Sequence, residues 1–283
     1  MQPLHLRFPC DRSSLLTGAL LGLAALLVNG ELQGQMPDPP EVESVEFRDH
    51  LVEVDHTVAD ARFHDALAIL KSLDPRHREE VEFLWRLSRV KVDVALEHAD
   101  DGPGEEQLFR TALQLAQKAV ELDPEHPEAH LAVAMAAGQL GLFSGIQERV
   151  EHSRHVRDHV DRVVELDPEH DVAYHVRARW HHEVATLGFA ARTVLRLVYG
   201  GIPDASLEEA VNDFRKAIEY EDRIIHRLQL ARTLIEKDQV DEAFPHLERA
   251  VRMPHHAPRD PQYQEEAREL LRELNGSARP GSS

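Results

Sequence analysis

The chain has 283 residues, and its 51 Asp and Glu against 32 Lys and Arg leave a formal net charge of −19. That balance excludes a nucleic-acid binder, whose affinity rests on a surplus of cations that neutralise phosphates. Cys10 is the single cysteine, so no intrachain disulfide can staple the fold and stability rests on packing.

Taken in chain order, Arg7 and Arg12 precede an uncharged apolar run, Leu15 to Val28, shorter than the roughly 20 apolar residues of a membrane span. Residues 1–34 therefore read as a cleavable signal peptide, with cleavage expected between Gly30 and Gln35 and a periplasmic or secreted mature protein. An N-terminally membrane-anchored chain is the alternative. Residues 35–42, QMPDPPEV, form a Pro-rich spacer, residues 43–275 one repeat domain, and residues 276–283 a polar tail expected to be disordered.

Within the repeat domain apolar residues recur at three and four positions, as in Val81, Leu84, Trp85, Ser88 and Val92, or Leu113, Ala116 and Val120. This is the helical period, and almost no segment alternates as a strand would, so the domain is all-α. Helices end at repeated turns: residues 119–126 read AVELDPEH, residues 163–170 read VVELDPEH, and Ser72, Leu73, Asp74 and Pro75 give a shorter version. Proline cannot continue a helix and turns the preceding residue away from α geometry, so the unit is helix, Asp-Pro turn, helix.

Small residues then mark where paired helices cross. Ala210, Phe214 and Ala217 recur 33 residues later as Ala243, Leu247 and Ala250, with Ala231 at a first-helix crossing. Ala112, Ala116, Ala119 and Pro124 give another unit, and Phe63, Ala66, Leu67 and Leu70 a degenerate first one. This pattern resembles the tetratricopeptide repeat. It implies a tetratricopeptide-like helical-repeat solenoid, wound as a right-handed superhelix, of about twelve helices in five antiparallel pairs with an inserted helix and a C-terminal capping helix from Pro261. Ala119 and Val163 are 44 apart and Val163 and Ala217 are 54 apart, so the middle units carry insertions.

Those insertions and their flanks are similar to the regulator of microtubule dynamics family over roughly residues 60–274. The motifs are residues 83–89 (FLWRLSR), residues 155–161 (HVRDHVD), residues 173–185, and residues 199–203 (YGGIP), in that order. The resemblance implies either the setting of the eukaryotic members, linked to microtubules, membrane contacts or lipid, or that of exported bacterial members. Arg177 departs from the repeat pattern, which has an apolar residue there, and puts the local packing in question.

No G-x-S-x-G elbow, phosphate-binding glycine loop or dinucleotide fingerprint is present, so an enzyme is not expected, nor is a cofactor. Of the 19 histidines, His152, His155 and His159 share one helical face, but without a fourth ligand or a cysteine they read as a solvated face and not a metal site. Repeat register assigns to a concave groove Leu131 and Met135, then His175, Arg179 and His182, then Leu228 and Arg232. Arg179 suits bidentate recognition of a carboxylate or phosphate, although the same positions equally suit contacts with neighbouring helices. Trp85 and Trp180 read as core. The segment Leu187 to Pro203 is expected to form a lid through Phe189, Val194 and Leu197.

The expected function is a non-enzymatic extracytoplasmic scaffold that binds a protein or peptide partner in this groove. A carrier of a lipid or other hydrophobic small molecule is the second reading. A microtubule-associated regulator is the third, if the chain is eukaryotic and anchored.

Overall fold

The structure, a computed structural model, describes residues 42–73, 75–97, 104–188, 191, 193 and 204–277. Among them are eleven α-helices: α1 (Val42–Ala59), α2 (Phe63–Ser72), α3 (Val81–Glu97), α4 (Gly104–Leu122), α5 (Pro127–Leu140), α6 (Ile146–Leu166), α7 (Asp171–Ala185), α8 (Leu207–Tyr220), α9 (Ile224–Glu236), α10 (Val240–Arg252) and α11 (Asp260–Ser277). A 3-10 turn, Pro75–Glu79, leads into α3. No described residue lies in a strand. The signal peptide, the spacer up to residue 41 and the lid residues Phe189, Val194 and Leu197 lie outside the described residues. Gly276 and Ser277, expected in the tail, still belong to α11.

Five antiparallel pairs and a final helix follow from the turn chemistry. Asp123 closes α4 with its N–H on Ala119 O (3.0 Å), and its Oδ1 accepts from Glu125 N–H (3.0 Å). Pro127 then occupies the first turn of α5, where its missing N–H costs nothing. Asp167 repeats this at the end of α6, bonding Val163 O (2.8 Å) and Glu169 N–H (3.2 Å). Ser206 starts α8 as an N-cap, its Oγ accepting from Glu209 N–H (3.1 Å).

The small residues read from the sequence are the crossing points. Ala112, Ala116 and Ala119 of α4, Ala210 and Ala217 of α8, and Ala243 and Ala250 of α10 are all fully buried. They let neighbouring backbones approach, so Ala116→Leu would overpack the crossing at a cost of about 1–3 kcal/mol. Trp85 and Trp180 are core residues, and Trp180 Nε1 donates to Ser153 O and Oγ, both at 2.9 Å. The longer of the expected insertions falls mainly outside the described residues. The shorter is taken up by the α5–α6 turn and by α6, which has 21 residues against 14 in α5.

First helices pack on first helices along the stack: α3 on α5, α5 on α7, α7 on α9, and α9 on α11. The apolar core runs in two adjoining stretches, one from α1 to α7 and one from α8 through α11 with Ala178. Within the second, α11 buries Tyr263 and Ala267 and packs Leu270, Leu271 and Leu274 over the last pair. This is the capping role the sequence assigns to the last helix.

Candidate partner-binding site

The row of first helices is tied together by side chains, not by apolar contact alone. Between α3 and α5, Arg89 meets Glu128 (3.2 Å) and Glu82 meets His126, the N-cap of α5 (3.0 Å). Between α5 and α7, Glu128 also receives His170, the N-cap of α7 (3.2 Å). Between α9 and α11, Arg232 bonds Glu266 (2.7 Å).

The seam between α7 and α9 is the most polar. Asp171 Oδ2 lies 2.7 Å from Arg223 Nε and 3.0 Å from His226 Nε2. His226 Nδ1 is 2.9 Å from His175 Nδ1. One turn on, Arg179 Nη1 donates to Gln229 Oε1 (2.7 Å) and its Nη2 to Glu183 Oε1 (2.7 Å). One turn further, His182 Nδ1 is 3.0 Å from Thr233 Oγ1. These rungs form because residues 175, 179 and 182 share one face of α7 and residues 226, 229 and 233 share one face of α9.

Proton positions follow from the partners. A carboxylate only accepts, so His226 Nε2 carries the proton to Asp171, and in the neutral ring Nδ1 is then an acceptor. In that state His175 Nδ1 donates to it; His175 Nε2 is buried and without a hydrogen-bond partner. Burial holds the His175 pKa well below the usual histidine range, assisted by His226, Arg179 and Arg223. Burial beside Arg179 and Arg232 pushes His182 down to about 4. Burial also raises Glu183, and the charge of Arg179 offsets only part of that rise.

The expected groove residues fall into three groups. Leu131 and Leu228 are 0 % exposed and Met135 3 %, which places them in the core and corrects their assignment to a groove lining. The reason is that α3, α4, α6 and α7 all pack on α5, while α7, α8, α10 and α11 pack on α9, so apolar positions that face along the stack are covered. His175 and Arg179, at 3 % and 8 % exposure, sit inside the α7–α9 seam, with the Arg179 fork already on Glu183 and Gln229. His182 and Arg232 are half-buried at the edge of the first-helix row. His226, Gln229 and Thr233 were not singled out from sequence, although their spacing mirrors that of His175, Arg179 and His182.

On α6, His159 faces His130 of α5, Nδ1 to Nδ1 at 2.8 Å, and burial with His130 and His155 lowers its pKa to about 4. His155 is exposed. Among the described residues no group of three His, Cys, Asp or Glu is placed to hold a metal ion, and no helix is long and apolar enough to cross a membrane.

Residues 50–275 match the family model described as "Regulator of microtubule dynamics protein 1-3". Similar relatives include regulator of microtubule dynamics protein 1 of Bos taurus, 27 % identical over 199 residues, which covers 70 % of this chain and 63 % of that one. Regulator of microtubule dynamics protein 3 of Xenopus laevis is 31 % identical over 156 residues, covering 55 % of this chain and 33 % of that one. The chain thus spans less than two-thirds of the length of either relative. Among solved structures, a thermophilic TPR protein of Thermus thermophilus superposes with a TM-score of 0.58 at 16 % identity, over 79 % of this chain and 98 % of that one.

Proposed function

Since this chain belongs to the regulator of microtubule dynamics family, we propose that it is a non-enzymatic, extracytoplasmic interaction scaffold that takes a protein or peptide partner along its row of first helices. The observation that carries this reading is the row itself, with polar side chains of α7, α9 and α11 gathered at one edge on a tetratricopeptide-like frame. Folds and families of this kind hold partners in place of doing chemistry, and fold alone never names the partner. The extracytoplasmic part of the proposal rests on the apolar run Leu15 to Val28 and its flanks.

The test is site-specific photo-crosslinking in the native host. A crosslinking residue at His182 or Arg232, on the first-helix row, should give one discrete adduct. The same residue at Gln114 or Arg215, exposed on second helices α4 and α8, should give none. Adducts from both faces, or from neither, would defeat the reading. N-terminal sequencing of the mature protein should begin between residues 31 and 35. An intact Met1 in the membrane fraction would support the anchored alternative. Native mass spectrometry that found a co-purifying acyl compound would favour the lipid carrier, and co-sedimentation with polymerised tubulin would favour the microtubule reading.

A further inference from the structure

His155 and His159 stand one turn apart on one face of α6, with ring centroids 6.1 Å apart. His155 is exposed and His159 half-buried. The face is not simply solvated, because α5 holds the second ring in place. His130 Nε2 lies 3.0 Å from Pro124 O, and a carbonyl oxygen only accepts, so that nitrogen carries the proton. In the neutral His130 ring Nδ1 is then an acceptor. His159 Nδ1, 2.8 Å away, donates to it, which in the neutral His159 ring leaves the lone pair on Nε2.

A histidine tied to the protein through one N–H, with a lone pair at its other nitrogen, has the outer-shell arrangement that orients a metal ligand. Burial, with His130 and His155 beside it, lowers the His159 pKa to about 4, so protons do not compete for that lone pair near neutral pH. His155 supplies a second imidazole from the preceding turn. Two histidines four positions apart on a helix can share one ion. Rings that bind a tetrahedral ion at about 2.0–2.1 Å have centroids roughly 5 Å apart. The separation here is 6.1 Å, and a rotamer change of the exposed His155 closes it. His152, the third histidine of this face, stands outside the pair: its Cβ packs beside Gly141, just past α5, and its Nδ1 is buried.

We propose that His155 and His159 form a two-histidine site for a divalent transition metal of the Zn²⁺, Ni²⁺ or Cu²⁺ class, with His130 as the positioning residue behind His159 and water in the remaining coordination positions. The site lies on a second helix, and it does not rest on the scaffold reading. Zn²⁺ titrated into the full chain and followed by the histidine ring signals in nuclear magnetic resonance should move His155 and His159 together and saturate at one ion for the pair. His155→Ala removes a ligand at an exposed position and should weaken this binding about tenfold or more while the chain stays folded by circular dichroism. His64→Ala, at an exposed histidine of α2, should leave the His155 and His159 response unchanged. His130→Phe keeps both ligands but removes the bond to His159 Nδ1, and should weaken binding about tenfold. Shifts of His155 alone, equal affinity in the parent and His155→Ala, or no saturation by about 1 mM Zn²⁺ would overturn the site. Unchanged affinity in His130→Phe would overturn the positioning role of His130.

Discussion

His170 joins two successive repeats through Glu128: its Nε2 lies 3.2 Å from Glu128 Oε1 on the preceding first helix, while its Nδ1 accepts the N–H of Ala173 in its own. His126 does the same one repeat earlier, with Glu82 at 3.0 Å and Ala129 at 3.3 Å. The segment Glu-Leu-Asp-Pro-Glu-His, at 121–126 and 165–170, therefore encodes a helix stop, a turn, a helix start and a clip to the previous repeat.

His170→Ala removes the cap and leaves Glu128 short of a donor, and should lower the unfolding free energy in urea by about 2–4 kcal/mol. His126→Ala should cost less, because the Glu82 side chain is 48 % exposed and water replaces the lost bond, whereas that of Glu128 is 19 % exposed. Equal costs would contradict the distinction.

Acid should destabilise the fold through its depressed histidines. His159 and His182 titrate near 4 when folded, below the unfolded value near 6.5. Between those values the unfolded chain binds more protons, so stability falls as pH is lowered from 6.5 towards 4. His126 and His170 work oppositely. The hydrogen bond to Glu82 raises His126, and in His170 burial is outweighed by the hydrogen bond to Glu128 and its charge, so the link of each ring to its glutamate contributes fully below pH 6.5 and fades as pH rises through the folded values, while the cap bond at Nδ1 needs the neutral ring. Urea unfolding across pH 4–7.5 should show His182→Gln losing about 1–2 kcal/mol less than the parent on acidification, a figure reduced for solvent at this half-buried site. Parallel curves for the two proteins would argue against it.

Arg177 should prove indispensable only while its carboxylates are present. Its Nε and Nη2 each lie 2.7 Å from Asp213, which is buried, and its Nη1 is 3.2 Å from Asp161. Burial alone would lower the Arg177 pKa, yet the two aspartates hold it raised. Arg177→Leu strands the Asp213 charge and should cost about 3–5 kcal/mol. Adding Asp213→Leu should recover most of that loss. A double variant as unstable as the single one would show that shape, not charge, is what Arg177 supplies.

Truncation at Pro258 removes α11 and uncovers the last pair. Tyr263 and Ala267 are buried there, and an aromatic side chain of that kind covers about 150–250 Å², so the loss is on the order of several kcal/mol. The truncated chain should melt lower and aggregate sooner. An unchanged melting curve would remove the capping role of α11.

The repeat architecture was legible because it is written in local rules. Asp-Pro turns, the helical period and the Ala210, Phe214 and Ala217 pattern each depend on residues within one or two turns of each other, the pattern's return 33 residues on shows that the unit repeats, and the buried alanines show that they mark the crossings. The apolar groove assignments failed at Leu131, Met135 and Leu228. Register along a helix gives a direction, and only the neighbours decide whether that direction meets solvent or another helix.

The polar residues divide the same way. Sequence alone determined that the chain is an all-helical repeat stack without a disulfide, and that His175, Arg179 and His182 share a face, since helix geometry fixes which side chains stand together. Arg177 departs from the apolar residue that the repeat pattern has there, and the fold accommodates it between Asp161 and Asp213, 16 and 36 residues away. Tertiary structure alone decided that His175 meets His226 and that Arg179 meets Gln229, 51 and 50 residues apart. Those pairings depend on how first helices stack across intervening pairs, a long-range packing outcome to which each residue contributes little and which no local spacing encodes.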